Sequence, residues 1–108
     1  MNTENTKAQM RKGILEYCIL EILSKRQAYA PDIIEEMRKA RMLVVEGTLY
    51  PLLTRLKNAG LLSYSWEESQ QGPPRKYYVL TSDGKSALLD LAASWDEIDA
   101  AVQRIRKL

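Results

Sequence analysis

Apolar side chains recur along this chain in three- and four-residue steps, interrupted by two short stretches where they alternate with polar ones or run together. The first periodic segment runs from about Lys7 to Lys25. Met10, Ile14, Cys18 (with Tyr17) and Ile22 return every four residues, with Leu15 and Leu23 alongside. That spacing predicts one amphipathic helix. Cys18 lies inside the stripe, so it reads as a small buried side chain rather than a redox group. Pro31 marks the start of a second, short helix, because proline is tolerated in the first turn, where its missing N–H is not needed. Asp32, Glu35 and Glu36 lie in its early turns and Arg38, Lys39 and Arg41 near its end, the order that the helix dipole favours. Ile33, Ile34 and Met37 supply its buried stripe.

The third helix, over 46–60, is two-faced. Leu49, Leu52, Leu53 and Leu56 form one apolar side at i, i+3, i+4, i+7. At about 100° per residue the opposite side carries Gly47, Pro51, Thr54 and Asn58, with Thr48, Tyr50 and Arg55 on its flanks. Pro51 requires the helix to begin only a few residues earlier, and Gly60 stands where a left-handed C-terminal residue is wanted.

Two strand-like runs follow. Leu62–Trp66 alternates large residues with serine, and Lys76–Leu80 is rich in β-favouring side chains. Residues 67–75 between them are polar and turn-forming, which predicts a hairpin with a long, flexible tip. Thr81 or Ser82 can cap a last helix, entered through Asp83 and Gly84. Along that helix Leu88, Leu91, Trp95, Ile98, Val102 and Ile105 alternate three- and four-residue steps, a seam of about two and a half heptads. A seam so short does not hold alone, but it can dock on another surface.

Helix, helix, helix, strand, strand, helix is the order of a winged helix-turn-helix with an appended C-terminal helix. The expected class is therefore mainly α with a small β-hairpin, divided into a winged helix-turn-helix over 1–81 and a dimerisation helix over 82–108. In that plan the third helix can enter a major groove. It needs an anchored apolar face and an outer face of short polar groups, and Gly47 and Thr48 allow close backbone approach. Tyr50, Thr54, Arg55, Lys57 and Asn58 offer hydrogen bonds or charge to phosphates and base edges. Arg75 and Lys76, behind a Gly-Pro-Pro turn, can reach adjacent phosphates or the minor groove. Each of these residues can equally be plain solvated or packing surface, and the same element order serves modules that bind proteins rather than DNA.

Composition narrows the chemistry. The 108 residues contain no histidine and one cysteine, so neither an intramolecular disulfide nor a Cys/His zinc site within one chain can be built. The commonest general base is missing too, and neither converging carboxylates nor a glycine-rich phosphate motif takes its place. No catalysis and no cofactor are expected. Net charge is only +2, but residues 7–81 hold 12 Lys/Arg against 8 Asp/Glu and residues 82–108 hold 4 against 5. A mildly basic body with a slightly acidic tail suits a DNA-contacting part joined to an assembly part. No run approaches the ~20 apolar residues of a membrane span. The polar opening, Met1–Thr6, does not read as a signal peptide, so the cytoplasm is the expected location.

Gly47-Thr48-Leu49-Tyr50-Pro51-Leu52-Leu53, followed by Arg55-Leu56 and Gly60-Leu61, resembles the signature of the PadR transcriptional regulators, specifically their short class with one C-terminal helix. Gly72-Pro73-Pro74-Arg75-Lys76-Tyr77-Tyr78, Leu80-Thr81-x-x-Gly84 and Trp95 fit the same family, so the resemblance spans roughly residues 10–106. It implies a repressor-like homodimer on a palindromic operator in duplex DNA, with Thr48 and Tyr50 at DNA-contacting positions and the wing adding backbone contacts. It also implies two roles for Trp95. The residue packs against the partner subunit, or paired copies near the dyad stack on a planar aromatic small molecule, as some short members respond to planar drugs. One departure stands out. Family members commonly carry Gly-Tyr-Glu/Asp-Ile at the start of the second helix, and this chain has Ala30-Pro31-Asp32-Ile33, so the role of that tyrosine does not transfer.

Overall fold

Leu15, Ile19, Leu20 and Leu23 bury one side of a helix against Ile33, Met37, Leu49, Leu53 and Leu56 from two others, and the rest of the molecule is arranged around that contact. A computed structural model describes residues 2–108; Met1, the first residue of the polar opening, lies outside the described residues. In chain order the elements are α1 (Thr3–Lys12), α2 (Leu15–Lys25), β1 (Ala28–Tyr29), α3 (Ala30–Lys39), α4 (Glu46–Asn58), β2 (Leu62–Ser69), β3 (Gly72–Leu80) and α5 (Ser82–Arg106). This is a mainly α winged helix, with α2, α3 and α4 as the three-helix body.

The single first helix expected over Lys7–Lys25 is two helices. Gly13, with the weakest helix preference after proline, ends α1, and the Ile14 N–H turns back to the Arg11 carbonyl at 3.0 Å. The break lets α1 leave the body: none of its residues is buried and Met10 is 74% exposed. The core stripe of α2 is consequently Leu15, Ile19 and Leu23 with Leu20, while Cys18 and Ile22 only pack against the margin of the core. Burial, and then the nearby Glu21 carboxylate, push the Cys18 thiol up, away from the thiolate that redox chemistry needs.

Helix α3 starts with Pro31 in its first turn, and the Asp32 carboxylate accepts the Tyr29 N–H at 3.3 Å. It ends before Arg41, which is left-handed at φ 64°. Helix α4 ends on Gly60 at φ 82°, where the Gly60 N–H reaches the Lys57 carbonyl and the Leu61 N–H the Leu56 carbonyl, each at 3.0 Å. That paired closure satisfies the last carbonyls of the helix and turns the chain into β2.

The hairpin is longer and tighter than its sequence predicts. Strands β2 and β3 stay paired from Leu62↔Leu80 out to Ser69↔Gly72, so the turn is short and most of the expected flexible tip is strand. Glu67 pairs with Arg75 and Ser69 with Gly72, so Pro73 and Pro74 together face the single Glu68, a bulge on β3 that takes the two residues without N–H donors out of the ladder. The sheet also has a third strand. Ala28↔Tyr78 and Tyr29↔Tyr77 pair antiparallel, giving the order β1-β3-β2. Two residues are too few to show an alternating pattern in sequence.

Thr81, not Ser82, caps α5: its hydroxyl accepts the Gly84 N–H at 3.0 Å and donates to the Gly60 carbonyl at 2.6 Å. The end of α4 and the start of α5 are thus tied through one side chain. Helix α5 packs on α2 and β3, and Leu91, Trp95, Ile98, Val102 and Ile105 along it are exposed. The molecule measures 56 × 33 × 22 Å, and its 15.6 Å radius of gyration exceeds the ~13 Å of a compact chain this long.

Candidate nucleic-acid interface

With Leu49, Leu53 and Leu56 locked into the core and Leu52 packed at its margin, α4 can present only its other side to solvent. Gly47, Tyr50, Pro51, Thr54, Arg55, Lys57 and Asn58 are all exposed there, and Thr48 is half-buried. No heavy atom lies within 4 Å of where a Cβ on Gly47 would sit, so the first turn is open to a large ligand. The Thr48 and Leu49 N–H groups both donate to the Val45 carbonyl, and no side chain caps the helix start. The amides of the first residues therefore remain available to an anion.

Tyr50, 46% exposed, leans toward the hairpin across a shallow cleft of 220 Å³ whose other walls include Tyr29, Pro74, Arg75 and Lys76. Arg75 and Lys76 are neighbours on a strand and go to opposite faces. The Arg75 guanidinium lies over the Tyr29 ring at 4.8 Å, and the Lys76 ammonium over the Tyr64 ring at 3.9 Å. Lys57 reaches the same Tyr64 ring at 5.5 Å, so a cation of α4 and a cation of β3 converge on one aromatic surface. Gln27 donates to Glu67 at 2.9 Å and ties the residue before β1 to the hairpin. These contacts hold the wing at a set distance from α4.

Arg55 sits differently. It forms an ion pair with Glu16 of α2, so its charge is already engaged within the body. The seam residues do not join the α4–hairpin surface at all. Leu88 packs on the core margin, while Leu91, Trp95, Ile98, Val102 and Ile105 are exposed along α5. The geometry also adds Tyr29 and Tyr64 as rings that place cations. Tyr64 is visible in sequence as a strand residue, whereas Tyr29 gives no sequence signal because its strand is two residues long. Among the described residues no three His, Cys, Asp or Glu side chains group as metal ligands, and no helix is long and apolar enough to cross a membrane.

A three-helix body with a solvent-facing third helix and a basic hairpin beside it defines a winged helix-turn-helix protein. Residues 19–90 match the transcriptional regulator PadR-like family. A PadR-like transcription factor from Bacteroides fragilis is 63% identical, with 94% of this chain and 98% of that one covered and a TM-score of 0.78. A PadR-like transcriptional regulator from Bacillus cereus is 36% identical over 90% of this chain and 95% of its own, with a TM-score of 0.81. An uncharacterised protein of Lysinibacillus sphaericus is 27% identical over 95 residues, 85% of this chain and 87% of that protein. The chain belongs to the PadR-like family of transcriptional regulators, DNA-binding regulators rather than enzymes.

Proposed function

We propose that this protein is a homodimeric repressor that reads a palindromic operator in duplex DNA from the cytoplasm. Residues up to 81 serve as the reading domain and residues 82–108 as the dimerisation helix. The observation that carries this reading is the outward face of α4, which is open at Gly47 and set across a cleft from a cationic wing. Helix α4 enters the major groove, where Thr48, Tyr50, Thr54 and Asn58 meet base edges or phosphates. Lys57, Arg75 and Lys76 hold the flanking backbone. Arg55 joins them by exchanging Glu16 for a phosphate. Two such helices related by the dimer dyad match half-sites about one helical turn, or a multiple of it, apart.

Trp95 packs across the dyad. Its 38% exposure in the single chain also leaves an indole face on which a planar aromatic molecule can stack and release the DNA. Quenching of Trp fluorescence by planar dyes tests that stacking; no quenching by any dye leaves Trp95 with packing alone.

Gel-shift titration on the DNA upstream of the protein's own gene, at two salt concentrations, tests the main reading. The expected result is binding at low salt that weakens steeply as salt rises, together with impaired binding and an intact dimer in Tyr50→Ala. No binding to any upstream fragment at low salt overturns it in favour of a protein-interaction module.

A further inference from the structure

We propose that Arg11, Lys12 and Arg41 form a second phosphate-contacting ridge, on the side of α4 opposite the wing, so that DNA is gripped on both sides of the helix. The inference rests on the DNA-reading role of α4 argued above. It extends the interface to residues that lie outside both the third helix and the hairpin.

The placement follows from the two flanks of α4. Thr48 and Tyr50 are two residues apart, so at about 100° per residue they project to opposite sides of the exposed face. Tyr50 faces the cleft that contains Arg75 and Lys76. Thr48 faces a separate cleft of 370 Å³, whose far wall is the end of α1 with Arg11 and Lys12 and whose floor includes Leu43. Leu43 in turn borders a third recess, lined by Arg38, Lys39 and Arg41. The two recesses share Leu43 and together hold five cations, Arg11 and Lys12 beside Thr48 and the other three beyond Leu43.

Two of the five are already engaged. Arg38 pairs with Glu35 at 2.6 Å and Lys39 with Glu36 at 3.8 Å. Among the described residues Arg11, Lys12 and Arg41 form no ion pair, so their charge is available to an outside anion. The backbone at Arg41 points the same way. Arg41 closes α3 at φ 64°, with its N–H on the Arg38 carbonyl at 3.0 Å and the Met42 N–H on the Met37 carbonyl at 2.8 Å. The chain closes α4 by the same pair of bonds, but there it uses Gly60. An arginine held where glycine is unstrained keeps a cation on this ridge against the local backbone preference. In sequence, Arg41 reads only as a cation at a helix end, and Arg11 and Lys12 fall within one long helix. The break at Gly13 is what brings those two beside Thr48.

The test is a salt titration of the full-length protein on a random-sequence 30-base-pair duplex, followed by fluorescence anisotropy. The variants are Arg11→Ala/Lys12→Ala, Arg41→Gly, Arg41→Lys, the wing variant Lys76→Ala, and Lys85→Ala as a control for net charge. Lys85 lies at the start of α5 beside Leu23 and Leu88, away from all three clefts. Removing one cation–phosphate pair lowers the slope of log K against log salt by about 0.9 per protomer. With two protomers on the duplex, the expected result is a slope reduced by roughly 4 in Arg11→Ala/Lys12→Ala and by roughly 2 in Arg41→Gly. Arg41→Lys keeps the original slope. Arg41→Gly also melts a few degrees higher, which separates a missing phosphate partner from a damaged fold. If both ridge variants behave like Lys85→Ala while Lys76→Ala weakens binding, the ridge is overturned and the reading role of α4 stands. If the unmodified protein does not bind the duplex at low salt, the reading role falls and the ridge with it.

Discussion

At Gly84 a methyl group would sit 2.1 Å from the Leu61 carbonyl oxygen and 3.1 Å from its carbon, both backbone atoms that cannot swing aside. Glycine there lets the first turn of α5 lie directly on the chain leaving α4. Gly84→Ala must push these two segments apart and is expected to cost about 2–4 kcal/mol of folding stability, read as a lower midpoint in urea. Gly47 faces the opposite situation, with nothing within 4 Å and a place in the first turn of α4. Alanine is the better helix former by up to about 1 kcal/mol in a helix interior and by less near an end. Gly47→Ala should therefore leave the urea midpoint unchanged or slightly raised. Any loss of DNA affinity in that variant then reports close approach of a ligand to the backbone rather than damage to the fold. A lowered midpoint in Gly47→Ala would show that the first turn needs glycine for its own geometry.

Between elements, the contacts that matter are carried by single side chains at junctions. The Thr81 hydroxyl accepts from Gly84, donates to Gly60 and so joins the left-handed end of α4 to the capped start of α5. Thr81→Val keeps the shape and removes both bonds, so it should cost about 1–2 kcal/mol, measurable as a lowered thermal midpoint. Thr81→Ser, which retains the hydroxyl, should recover most of that loss; an equal loss in both would show that the two hydroxyl bonds are not what stabilises this junction. The periodicity of this junction was readable, since Gly60, the Thr81 cap and the leucine stripes of α4 each follow from local rules. What local rules miss is set by distant partners. Tyr29 becomes strand only because β3 offers it an edge, and the long hairpin survives Pro73 and Pro74 because β3 bulges at them, two residues against the single Glu68 of β2. At Gly13 the sequence did carry a local cue, but the four-residue recurrence of Met10, Ile14, Cys18 and Ile22 across it hid the break. The α4–wing surface was legible in nearly all its residues. The engagement of Arg55 with Glu16 was not, because it depends on how α2 crosses α4.

The whole molecule has an unfinished side. Leu91, Trp95, Ile98, Val102 and Ile105 share one stripe of α5 and are 36–65% exposed. A continuous apolar stripe of this length on a protein otherwise well packed around Ile19, Leu20, Leu49 and Leu53 marks an interaction surface. Its three- and four-residue steps are those of a helix that packs along another helix, and a second copy of α5 presents the matching stripe. A two-fold pair also suits two α4 helices reading a palindrome, so assembly and DNA affinity should fail together. Ile98→Glu places a charge at the middle of the stripe, where Ile98 is 57% exposed in the single chain and the fold has no need of it. The expected outcome is an intact fold by circular dichroism, a monomer by sedimentation velocity, Trp emission shifted to the red as Trp95 loses its cover, and operator affinity reduced at least tenfold. A companion variant, Ile98→Leu, should behave as the unmodified protein. If Ile98→Glu still sediments as a dimer with unshifted emission, α5 is not the dimer contact, and the stripe must be assigned to a different partner.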